Sequence, residues 1–65
     1  MGANIQWAIL NFNRVWNLFE HNGRKLTRME VMALLNYGLS KGYASTSQLA
    51  DDEIDMVLSE CNTSV

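Results

Sequence analysis

His21, Cys61 and the acidic run Asp51, Asp52, Glu53 and Asp55 are the side chains here that could move a proton, attack a carbon or hold a cation. A nucleophilic thiol needs a base within hydrogen-bond reach and a third group to orient that base. The 65-residue chain has one histidine and one cysteine, and they lie in separate segments. Cys61 therefore reads as a small apolar residue on a helix stripe. His21 reads as a structural residue in the last turn of a helix, where the negative end of the dipole favours its protonated form. The acidic run suits a helix start, which the same dipole stabilises. Arg24, Lys25 and Arg28 make a basic cluster that reads as a solvated face. The sequence predicts no catalytic residue, no cofactor and no metal site, and the chain is not expected to be an enzyme.

The elements that must position these residues follow from apolar spacing. Ile5, Ala8, Ile9, Phe12, Val15, Trp16 and Phe19 recur at steps of three and four, which puts them on one side of a helix. Asn4 is its expected N-cap and Gly23 its stop, giving a first helix over roughly 4–21. Thr27-Arg28-Met29-Glu30 is a capping box, with Leu26 placed to staple onto Val31. The second helix runs over roughly 28–41 with Val31, Leu34, Leu35, Gly38 and Leu39 inward, and Gly42 ends it. Ser45-Thr46-Ser47-Gln48 is a weaker box opening a helical turn near 46–50. A third helix over roughly 51–61 has Ile54, Val57, Leu58 and Cys61 as its stripe. The tail Thr63-Ser64-Val65 is expected to fray. The fold class is all-α: a single small three-helix domain over 1–65.

Composition bounds the rest. Apolar residues are 48% of the chain and proline is absent, so the chain is globular rather than disordered. A domain this short covers only about 60% of the surface its unfolded chain exposes, so its stability margin is thin. A lone cysteine suits a reducing compartment, and no run approaches a membrane span or a secretion signal, so a cytoplasmic protein without a membrane is expected. The Asn62-Thr63-Ser64 acceptor would matter only in a secreted chain. Gly2 lacks the Ser or Thr at position 6 that a myristoylation signal requires.

Two stretches resemble known families. Phe19 to Glu30 is similar to an EF-hand loop and its exiting helix, covering about one hand. The resemblance places Glu20, Asn22 and Glu30 at ligand-like positions and Leu26 at the central apolar one. The loop is one residue short at the glycine, and Arg24 stands where an acidic ligand belongs, so it implies a degenerate, calcium-free relative. Ala33-Leu34-Leu35, Gly42 and Thr46 to Ala50 resemble a helix-turn-helix of small bacterial regulators over about a third of the chain. That reading implies nucleic-acid binding. The acidic residues on the helix that would enter the groove, with a net charge of −2, oppose it.

The remaining signal is a surplus of apolar side chains. On the wheel of an unbroken first helix, Trp7, Leu10 and Leu18 fall outside the core stripe, around Arg14. Tryptophan, arginine and leucine together have the make-up of an interface centre. Trp7, Leu10, Arg14 and Leu18 are therefore the expected protein interface, with a second copy of the chain as the expected partner. The alternative is that the linker around Tyr43 and Leu49 wraps this side into the core. The expected function is a small intracellular interaction or regulatory module, of the size seen in phage-encoded and regulatory adaptors.

Overall fold

A computed structural model describes residues 2–63 and shows a small, mostly helical domain. The order is α1 (Ile5–Leu10), α2 (Phe12–Val15), a 3₁₀ turn (Trp16–Leu18), β1 (Glu20–His21), β2 (Arg24–Lys25), α3 (Arg28–Ser40), a second 3₁₀ turn (Thr46–Gln48) and α4 (Asp51–Thr63). α3 is the central element and packs on both α1 and α4. The core is Ile5 and Ala8 from α1, Val15 from α2, Leu26, then Val31, Leu34 and Leu35 from α3, with Leu49, Val57 and Leu58 closing the far side. Each leucine, isoleucine and valine among them contributes roughly 1.5–3 kcal/mol of apolar burial. No helix among the described residues is long and apolar enough to cross a membrane.

Side chains that compete for the backbone set the boundaries. Asn4 accepts from the Trp7 amide and starts α1. Thr27 and Glu30 form the expected capping box at the start of α3, and Ser45 with Gln48 forms the second. α3 ends as a Schellman motif: the Gly42 amide donates to the Leu39 carbonyl and the Tyr43 amide to the Gly38 carbonyl. The N-terminal strip is laced to the segment before α4. Ala3 and Thr46 exchange hydrogen bonds, and the Ile5 amide donates to the Ala44 carbonyl.

The first helix departs from the expected span of 4–21. Asn11 ends α1 with φ −110° and ψ 24°, and its side-chain amide donates to the Trp7 carbonyl, a bond that diverts the backbone from a regular helix. Helical structure then resumes for one short piece and a 3₁₀ turn, and ends at Leu18. His21 is consequently on a strand, not in a last helical turn. Glu20–His21 and Arg24–Lys25 pair antiparallel, His21 opposite Arg24, around Asn22 and Gly23 with φ of 53° and 76°. Two successive positive φ values make a type I′ turn, the hairpin turn that Asn-Gly favours. α4 runs to Thr63, two residues beyond the expected end, so the part of the expected frayed tail that it covers is helical. Ser64 and Val65 lie outside the described residues. Leu39, expected inward, is exposed, while Gly38 is buried.

Candidate interaction surface

The hairpin, α3 and α4 are tied by a buried carboxylate. Glu30 is 1% exposed, and Arg24 grips it with two hydrogen bonds, of 3.1 Å to Oε1 and 3.0 Å to Oε2. Oε1 also accepts from the Thr27 amide at 2.9 Å, and Oε2 from the Asn62 side chain at 2.9 Å. The Arg24 bonds, then that amide, hold the Glu30 carboxyl at about 2, well below the usual carboxylate range. This side chain is thus committed to structure, and Asn22, another of the EF-hand-like positions, sits at the hairpin tip. No group of three or more His, Cys, Asp or Glu side chains converges among the described residues.

The other titratable groups serve as ties between elements. His21 Nε2 lies 2.9 Å from Asp55 Oδ1. A carboxylate only accepts, so Nε2 carries the proton, and the hairpin is bonded to α4. Tyr37 and Tyr43 both donate to Glu53 Oε2, each at 2.9 Å, while Glu53 Oε1 accepts from the Ala50 amide. Cys61 is a half-buried free thiol on α4. The basic cluster is dispersed: Arg24 serves Glu30, and Arg28 stacks 4.9 Å over the Phe12 ring. In the helix-turn-helix-like stretch, Thr46–Gln48 is a single 3₁₀ turn, and the helix after it opens on three acidic residues.

The apolar side chains left outside the core are the most prominent surface feature. Leu10 is 85% exposed, Trp7 52% and Leu18 58%, and Arg14 is exposed as well. The linker around Tyr43 and Leu49 leaves these residues open: Leu49 is itself a core residue and Tyr43 packs against that core. The break at Asn11 divides the expected set. Trp7 and Leu10, three residues apart on α1, share one side, whereas Arg14 belongs to α2 and Leu18 to the 3₁₀ turn.

A second apolar region escaped the wheel of helix one because it belongs to two helices. Ile9 and Phe12 face Arg28, Met32 and Asn36 of α3 across a groove of about 320 Å³. Met29, 70% exposed, and Leu39 lie on the same flank of α3. The spacing of Met29, Met32, Asn36 and Leu39 could have signalled a second stripe beside the core stripe.

Comparison with protein-family models, with curated proteins and with solved structures gives no significant match.

Proposed function

We propose that this chain is a small protein-binding module that pairs with a second copy of itself through the outer side of α1, acting by occupying a surface rather than by chemistry. The observation that carries this reading is the exposure of Leu10 and Trp7, two large apolar side chains on one side of one helix. Leaving them in water forgoes about 1.5–3 kcal/mol each, a notable loss for a domain of this size. A twofold pair would set the same patch against itself. A second apolar region supports the reading: Met32 in the groove between α1 and α3, and Met29 on the same flank of α3, are flexible, polarisable side chains that adapt to a partner. A free thiol with no disulfide suits the reducing cytoplasm, where we place the module.

Sedimentation at micromolar concentration tests the pairing. The native chain should run as a dimer or larger, and Leu10→Glu as a monomer with its helicity kept. A native chain that stays monomeric at high concentration removes self-association. In that case, unfolding by Leu10→Glu would assign Leu10 to the core, and tolerance of the change would leave the surface to a different protein.

A further inference from the structure

Beneath the hairpin lies a cleft of about 300 Å³ that the module reading leaves unused. Leu26, Leu34, Leu35, Leu49 and Ile54 give it an apolar floor, and Glu20, His21, Ser47 and Asp51 stand at its edge. We propose that this cleft binds a small primary amine carried on a short apolar stem.

The volume sits at the lower end of small-ligand pockets, whose form is an apolar wall with a few polar groups that fix orientation. The floor accepts a short stem of methylenes, which gain by leaving water. The charge of the head group is set by the edge. No lysine or arginine lines the cleft. The Glu20 and Asp51 carboxylates have neither a hydrogen bond nor an ion pair among the described residues. Lys25, opposite Glu20 in the hairpin, is exposed and does not line the cleft. His21 has Nε2 turned to Asp55, a third carboxylate behind the edge. The start of α4 would otherwise attract an anion, yet Glu53 Oε1 takes the Ala50 amide and Asp52 Oδ1 takes the Glu53 amide. Carboxylate and phosphate ligands therefore meet repulsion here, and an ammonium group is drawn to an edge that carries two unpaired carboxylates.

Hexylamine, hexan-1-ol and hexanoate, titrated separately into the native chain and followed by amide NMR, test the proposal. Hexylamine should shift the amides of Leu26, Leu49 and Ile54, and should bind about fivefold more tightly than hexan-1-ol, the gain expected of two exposed ion pairs. Glu20→Gln with Asp51→Asn should remove that preference. Equal binding of all three probes, a preference for hexanoate, or shifts away from the cleft would overturn the assignment. Because the probes are compared on the native chain, the result does not depend on the fold of the variants, and it is independent of whether the chain pairs through α1.

Discussion

Gly38 of α3 makes room for Ile5 of α1: a β-carbon at position 38 would lie 2.6 Å from Ile5 Cδ1. Real β-carbons do not come so close, and Ile5 is fully buried, with no open side toward which it could swing. The seating of α1 on α3 therefore depends on a missing methyl group.

Gly38→Ala should destabilise the domain by about 1–2 kcal/mol, because the overpacking cost exceeds the gain of roughly 1 kcal/mol in helix propensity. Adding Ile5→Val removes the clashing Cδ1 atom, so the double variant should be more stable than the sum of the single changes predicts. Thermal midpoints of the four proteins decide it, and strict additivity would refute the contact.

Glu30 links stability to acid. Its folded pKa of about 2 lies below the ordinary 4.5, so its contribution is complete above 4.5 and is lost as pH falls through that range. Glu53, lowered chiefly by the Ala50 amide and then by its two tyrosines, acts in the same direction. Urea midpoints of the native chain should fall between pH 4.5 and 2, and Glu30→Gln should be less stable at neutral pH with a shallower fall. Parallel curves would show that Glu30 is not the titrating group.

The tyrosine pair predicts the opposite limb. The Glu53 hydrogen bond and burial push Tyr37 up to about 12, and Tyr43 is raised by the same carboxylate. Their contribution is present below the ordinary value of 10 and is lost as pH rises past it. Phenolate absorbance of the native chain should therefore develop well above pH 10, and Glu53→Gln, which keeps an acceptor and removes the charge, should bring it down. Titration at the ordinary value in both proteins would remove the shared carboxylate from the account.

At the hairpin tip, a β-carbon on Gly23 would meet nothing within 4 Å, so Gly23→Ala isolates the backbone effect of φ +76°. The expected cost is about 1–2 kcal/mol, against little change for Asn22→Gly, read from denaturant midpoints. If Gly23→Ala proves neutral, the turn is not type I′.

Much of this architecture is readable from single residues that bond to nearby backbone. Asn4, the Thr27–Glu30 box, the Ser45–Gln48 box and Gly42 mark ends by local chemistry, which needs no knowledge of the rest of the fold. The first helix misleads because its apolar spacing continues past Asn11, and periodicity carries no record of one asparagine turning back on its own helix. The hairpin hides for a related reason: Asn22-Gly23 is a strong turn signal, but strands of two residues give no alternation to support it. Arg24 with Glu30, and Gly38 with Ile5, depend on distances between segments that spacing does not encode. At the surface, Trp7 and Leu10 are legible because both lie on one short helix, and the cleft is not, since its walls come from the hairpin, α3, α4 and the segment between those helices.

The bonds that join Ala3 to Thr46 across 43 positions make the domain a closed circuit. Closing such a clasp costs the entropy of a long loop, and a contact this distant in sequence slows the search for the native state. While the chain is being synthesised, α1 has no seat until α3, which ends at Ser40, has emerged, and until then its apolar residues stay open to water. Once the circuit closes, the amides of Ile5 and Thr46 are hydrogen-bonded to the Ala44 and Ala3 carbonyls, so exchanging their hydrogen for deuterium requires this clasp to open.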